Sequence, residues 1–351
     1  MTSYFRPTVN ALSGYIPGEQ PAANVRVIKL NTNENPYPPS PKAMQVLRDL
    51  DGERLRRYSD PMASAFRQAA SQTLGVPADW ILAGNGSDDL LTMIVRACTE
   101  PGRKVVYPMP TYVLYRTLAE IQAAEVEEVP FPDNYRLPVE KLIAAQGAVT
   151  FIASPNSPSG TAMSINRLDK LASQLLGVLV IDEAYVDFAE SSALELVKSH
   201  ENVIVLRTLS KGYSLAGLRL GFGIAHPILL EGLIKVKDSY NVDAVACAVG
   251  AAAIADVEYK NRNAEKVKAE RSRLTEALQQ LGFDVFPSQA NFLLARSPNS
   301  TPAESIYQQL KQQGILVRYF SQPRLDDKLR ITVGTPEENS ALLEALHRIL
   351  G

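Results

Sequence analysis

The chain has 351 residues, a hydrophobic share of 46%, a charged share of 21% and a formal net charge of −2. That length predicts about two domains, each able to bury its own core. The near-neutral charge excludes a global field that would recruit nucleic acid or an anionic membrane surface, so any anionic ligand must be met by local groups.

Residues 1–29 scatter prolines and glycines in irregular order, including Gly14-Tyr15-Ile16-Pro17-Gly18, and read as an arm with neither a signal peptide nor an apolar run of the ~18 residues a membrane span needs. Ala63 to Leu74 has helical character. From Trp80 onward short apolar runs alternate with helical patterns: Trp80-Ala83, Lys104-Tyr107, Val126-Val129, Val149-Ala153, Val178-Ile181, Val203-Leu206 and Leu218-Ala225, with helices over Asp88-Cys98, Tyr112-Ile121 and Ile165-Leu176 between them. This alternation predicts an α/β domain over residues 30–250, a mostly parallel sheet between helices, its first residues packing on the smaller domain. Ala244 to Leu281 is helix-rich, and its charged middle, Glu258 to Arg273, predicts one long exposed helix. Strands over Phe283-Phe286, Phe292-Ala295, Ile315-Val317 and Leu329-Val333, with helices over Ala303-Gln313 and Pro336-Leu350, then predict a smaller α+β domain over residues 251–351. Cys98 and Cys247 lie in apolar helical contexts, which predicts buried thiols in a reduced, cytoplasmic chain.

Open α/β sheets bind ligands outside the carboxyl ends of their strands, so the residues after each run carry the chemistry. Gly84-Asn85-Gly86-Ser87-Asp88 opens a helix; Ser154-Pro155-Asn156 follows another strand; Asp182 and Tyr185 follow a third; Thr208, Ser210 and Lys211 follow a fourth. A lysine buried beside a second cation, here Arg219, would favour its neutral amine and could form Schiff bases with carbonyl groups. The other strand ends offer what an aldehyde-bearing pyridine phosphate needs. Amides of Gly86, Ser87 and Asp88 at a helix N-terminus, hydroxyls of Thr208 and Ser210, and the Arg219 fork suit a phosphate. Asp182 suits a protonated ring nitrogen, through a charged hydrogen bond of about 1.5–3 kcal/mol. Asn156 and Tyr185 suit the ring oxygen, and Tyr112 one ring face.

Each feature has a blander reading. Gly84-Asn85-Gly86 is also a plain turn, and position 89 is Asp where a dinucleotide fingerprint needs Gly or Ala. Val178 to Glu183 resembles a nucleoside triphosphatase strand, but the chain has no Gly-Lys pair. No His-Glu-x-x-His helix, Cys/His cluster or Gly-x-Ser-x-Gly elbow is present, so neither a metal centre nor a serine hydrolase is expected. Arg318 and Arg330 adjoin apolar strands of the small domain, either as surface ion-pair formers or facing an inter-domain cleft.

Ser154-Pro155-Asn156, Asp182-Glu183-Ala184-Tyr185 and Ser210-Lys211 with Arg219 resemble the fold-type I pyridoxal-phosphate-dependent aminotransferases. Tyr15-Ile16-Pro17-Gly18, Leu30 to Pro38, Arg57-Tyr58, Gly84 to Asp88, Ala290-Asn291-Phe292 and Arg330 to Gly334 extend the resemblance towards the histidinol-phosphate aminotransferase family. The resemblance implies transamination of histidinol phosphate with 2-oxoglutarate in histidine biosynthesis, with Lys211 holding pyridoxal 5'-phosphate and moving the proton. It implies a homodimer in which Tyr58 reaches the cofactor phosphate of the partner. It also implies that Arg330, assisted by Arg318, binds substrate phosphate or carboxylate, and that Tyr15, Asn33, Glu34 and Asn35 close the pocket. Ser157 and Ser159 stand where the family often has Asn and Thr, and Ser59 where it often has Pro, positions that shape turns. An aromatic or broad-range aminotransferase and a phosphothreonine decarboxylase are the near alternatives; the ligand-sensing half of a transcription factor is the remote one.

Overall fold

The apolar runs between Ile81 and Ala225 become the strands of one sheet. In the computed structural model, which describes residues 4–12, 27–298 and 301–351, the strands are β1 Ile28–Lys29, β2 Ile81–Gly84, β3 Lys104–Met109, β4 Glu125–Pro130, β5 Val149–Ala153, β6 Val178–Asp182, β7 Val203–Thr208, β8 Gly221–Ala225, β9 Asp284–Val285, β10 Phe292–Arg296, β11 Ile315–Leu316, β12 Arg318–Tyr319 and β13 Lys328–Thr332. The large sheet has seven strands in the order β2-β8-β7-β6-β5-β3-β4. Its neighbours pair parallel except at β8, which runs antiparallel to both β7 and β2. The carboxyl ends of six strands and the start of β8 therefore share one edge.

Buried on both faces, β5 to β7 read as continuous Val, Ile and Leu runs. Val105 turns to one apolar layer, with Leu90, Ile94, Leu118 and Leu230 of the helices Ser87–Cys98, Leu114–Ile121 and Pro227–Val236. Val106 turns to the other, with Phe66, Leu168 and Val249 of Ser64–Leu74, Ile165–Gln174 and Ala244–Ala255. Asp243 caps the last of these by accepting from Ala246 N.

A second, antiparallel sheet in the order β12-β13-β10-β9 lies in the C-terminal region. The helices Ala303–Gln312 and Pro336–Leu350 pack its core; a capping box between Thr335 and Glu338 starts the latter. The chain ahead of the large sheet joins this region: β1 pairs with β11, Leu30 N donates to Leu316 O at 2.7 Å, and Thr332 N donates to Leu30 O at 2.9 Å.

Three expectations change. The strand drawn from Leu218 starts at Gly221, because Ala216–Leu218 forms a 3-10 turn and Arg219 takes a left-handed φ of 54°. The charged helix runs from Val257 to Gln280, but it buries Ala264, Val267, Leu274 and Leu278, so only its other face is exposed. Cys98 and Cys247 are free but only half-buried.

Candidate active site

The shared strand edge opens into a cleft of about 310 Å³. Its floor is built around Asp182, the last residue of β6. The Asp182 carboxylate is buried, accepts the Tyr115 hydroxyl at 2.8 Å and the Ala184 amide at 3.1 Å, and pairs with no Lys or Arg among the described residues. Burial pushes its pKa from 3.8 up to about 6, against the pull of those two donors. Tyr115 is itself fully buried and stacked on Phe151 at 4.7 Å, so it cannot swing away. One residue on, buried Glu183 accepts from Arg207 at 3.0 Å, from the Ser192 hydroxyl and from the Ala193 amide, clamping the ends of β6 and β7 together.

Above the floor, Lys211 is half-buried; its Nζ donates to Thr32 O at 3.3 Å and stands 5.7 Å from the Tyr185 ring centre. Its turn rests on Asp187: a Cβ on Gly212 would collide with that carboxylate, which pairs with Lys260 of the long helix at 2.9 Å. The expected burial of Lys211 against Arg219 is not found. Arg219 is exposed, because its left-handed turn carries it outward to Asp88 at 3.1 Å. It reaches the rim at all because β8 runs antiparallel and begins where its neighbours end. Gly221 makes room there, since any Cβ would strike the Ser87 amide. Ser87, Asp88, Tyr112, Thr208 and Ser210 line the same end of the cleft; Thr208 Oγ1 and Ser210 Oγ lie 2.9 Å apart, and Tyr112 approaches Asp88 at 3.3 Å.

Asn156 lies just behind the lining. Its amide nitrogen donates to Pro110 O at 3.2 Å and to Ser159 Oγ at 3.0 Å, and its oxygen accepts from Thr111 at 2.7 Å. Tyr185 lines the cleft, its hydroxyl accepting from Asn33 at 2.9 Å.

The opposite wall comes from the small sheet. Arg318 and Arg330 face each other in β12 and β13. The Arg330 guanidinium lies between Phe292 (5.4 Å) and Phe320 (5.6 Å) and donates to Ser157 Oγ at 3.2 Å and Asn31 O at 2.9 Å. Arg318 takes the same Phe320 ring at 5.4 Å.

Other expected residues stand apart from the lining. Asn35 donates to Lys211 O at 3.0 Å and so braces the lysine turn. Glu34 is exposed; partial burial works against its charge, but Lys29 at 2.7 Å and Thr32 hold its pKa below the usual value. Tyr58 is 85% exposed and stacks on Tyr240 at 4.5 Å. Tyr15 lies outside the described residues. Sequence reading missed Tyr115, three residues after Tyr112 on an amphipathic helix, as well as Phe320 and the Glu183–Arg207 clamp. Among the described residues no helix is long and apolar enough to cross a membrane, and no cluster of His, Cys, Asp and Glu is arranged to hold a metal.

The family profile for aminotransferases of class I and II matches residues 25–346. Histidinol-phosphate aminotransferase 1 of Trichormus variabilis is 64% identical over 350 residues, covering 100% of both chains. The histidinol-phosphate aminotransferase of Rhodopirellula baltica is 45% identical over 99% of this chain and 96% of its own. The crystal structure of histidinol-phosphate aminotransferase from Sinorhizobium meliloti in complex with pyridoxal-5'-phosphate superimposes with a TM-score of 0.91 at 27% identity, covering 100% of this chain and 98% of that one. A buried carboxylate and a lysine at the edge of a mostly parallel sheet, together with near-complete coverage by these relatives, place the chain in the class I and II aminotransferase family, in its histidinol-phosphate aminotransferase group.

Proposed function

We propose that the cleft transfers the amino group of histidinol phosphate to 2-oxoglutarate, giving imidazole acetol phosphate and glutamate, with pyridoxal 5'-phosphate as cofactor. The observation that carries this reading is Asp182: a buried carboxylate, pushed up to about 6 and paired with no Lys or Arg among the described residues, is the counter-charge a protonated pyridine nitrogen requires. The residues fit the group at its other end too, where Gly86 and Gly221 keep the Ser87 amide and the Arg219 guanidinium clear of any Cβ. When bound, the cofactor supplies an electron sink for the pair left behind as a proton departs from the amine-bearing carbon.

The chain's own residues do the rest. Lys211 Nζ would hold the cofactor and, once released, would take the proton from the amine-bearing carbon as base and deliver it as acid to the cofactor's carbon. The Asp182 carboxylate would keep the ring nitrogen protonated, and Tyr115 keeps Asp182 in place. Tyr185 donates to the ring oxygen, joined by Asn156 once it releases Ser159. Tyr112 covers a ring face. The backbone amides of Ser87 and Asp88, the hydroxyls of Thr208 and Ser210, and Arg219 would take the phosphate, Arg219 by exchanging the Asp88 carboxylate for it. Arg330, with Arg318 beside it, takes the phosphate of one substrate and the carboxylate of the other, and Asn33, Glu34, Asn35 and Tyr15 form the closing side.

Two copies complete the site in this reading. Tyr58 is exposed and belongs to no part of its own cleft, which supports its reaching the partner's cofactor phosphate in a homodimer. Residues 1–29 serve as an arm, 30–250 as the cofactor-binding domain and 251–351 as the small domain, in a cytoplasmic enzyme. An acceptor screen tests the function: purified protein with 2-oxoglutarate against histidinol phosphate, phosphothreonine and phenylalanine. Glutamate forms fastest with histidinol phosphate. Faster turnover of phenylalanine would mark a broad-range aminotransferase, and carbon dioxide released from phosphothreonine without an acceptor would mark a decarboxylase.

A further inference from the structure

We infer that Asn33 is a positioning residue that fixes the direction of the Tyr185 hydroxyl, turning its hydrogen into the cleft, and that Thr332 sets Asn33 to do so. The Thr332 hydroxyl accepts the backbone N–H of Asn33 at 3.0 Å, so its own hydrogen is left to donate, and it goes to Asn33 Oδ1 at 3.1 Å. With the amide oxygen on Thr332, its nitrogen faces Tyr185. Asn33 Nδ2 donates to the Tyr185 oxygen at 2.9 Å. A phenol has one hydrogen. With a donor already on its oxygen, Tyr185 must direct that hydrogen elsewhere, and the open side is the cleft that it lines.

The lock is rigid. Asn33 and Thr332 are each 2% exposed, and buried polar groups of this kind are costly to leave unsatisfied. Asn33 holds a left-handed φ of 57°, and its carbonyl accepts from the buried Asn291 amide at 3.0 Å. The Tyr185 ring meets Phe292 edge-on at 5.0 Å. Thr332 lies two residues beyond Arg330 in β13, hence on the same face of that strand. Through Thr332, 299 positions from Asn33 in sequence, the strand that carries the substrate arginine thus also sets the proton direction of Tyr185, which follows the large-sheet strand β6.

The inference rests on Tyr185 facing the cofactor, and the test separates the two. The holoenzyme is titrated with pH while the visible band of its lysine-bound cofactor is followed. A donor on the ring oxygen draws off charge that would otherwise favour a proton on the neighbouring lysine nitrogen, so loss of the donor raises the apparent pKa of that band. Tyr185→Phe should raise it by about one unit. Thr332→Val, which frees the amide to turn, and Asn33→Asp, which accepts the phenol's hydrogen, should each reproduce most of that rise. Thr332→Ser should restore the original value, and Thr332→Val with Tyr185→Phe should add nothing to Tyr185→Phe alone. If Tyr185→Phe shifts the band while folded Thr332→Val and Asn33→Asp leave it at the original value, the inference is overturned and the reading of the cleft stands. If Tyr185→Phe itself shifts nothing, both fall.

Discussion

The two walls of the cleft are prepared in different ways. On the large-sheet side, the polar groups are fixed by short-range partners: Asp182 by Tyr115 and Ala184, Asn156 by Thr111, Pro110 and Ser159, Glu183 by Arg207 and Ser192. On the small-sheet side, two guanidiniums sit opposite each other and are cushioned by the rings of Phe292 and Phe320. Hydrogen bonds to buried groups are directional and hold one geometry. Cation–π contacts hold a charge over a surface with less directional demand, although Arg330 also donates to Ser157 Oγ and Asn31 O. In the proposed function the difference is a division of labour: one wall would serve a ligand that stays, the other anions that alternate.

The largest effect should come from breaking the first wall. Lys211→Ala should lower turnover on the order of 10⁴-fold, the upper range for removing a proton-transfer group. It should also abolish borohydride-fixed labelling of residue 211; a label persisting on another lysine would move the centre of the site. Asp182→Asn sharpens the comparison, because it separates what serves the ligand from what serves the fold. Turnover should fall by about 10- to 150-fold with the cofactor still bound, for want of a charged hydrogen bond to the ring worth about 1.5–3 kcal/mol. The cofactor-free protein should respond in the opposite sense. Burial raises the Asp182 pKa from 3.8 to about 6, so the folded chain holds a proton that the unfolded chain releases. That contribution to stability is complete below pH ~4 and is lost as pH rises through about 6. A neutral Asn escapes the loss. It should melt above the parent at pH 8, by up to about 3 kcal/mol, with no such gain at pH 4; equal melting at both would show that no charge is being buried. The smallest effect should be on the second wall. Arg330→Ala should reduce kcat/KM about 10- to 100-fold for both the phosphorylated substrate and glutamate, and loss for only one of them would end the idea of a shared anion site.

The sequence reading reached the first wall further than the second. Asp182, Lys211 and the Gly86-Ser87-Asp88 turn follow apolar runs directly, and in a parallel sheet everything that follows a strand arrives at one edge. Arg219 was placed at the same edge, though its partner is Asp88, a residue 131 positions away that no local pattern ties to it. Tyr115 looked like core because it is core: only the packing shows that its hydroxyl meets Asp182. The aromatic cushion of Arg330 depends on antiparallel register between β12, β13 and β10, and register is set by tertiary packing rather than by any residue within those strands. The direction of the Asn33 amide depends on a hydroxyl from the far end of the chain, which composition cannot reveal.

The pairing of β1 with β11, and of Leu30 with Thr332, means that the molecule's ends are not interchangeable parts. Residues 31–33 enter the cleft from the first tenth of the chain, but their positions are dictated by a sheet made from its last fifth. Any attempt to transplant the substrate wall into a relative would have to move the 28–33 segment together with 315–332. Exchanging the arginine-bearing hairpin alone would carry over the charges and leave behind the strand that aims them.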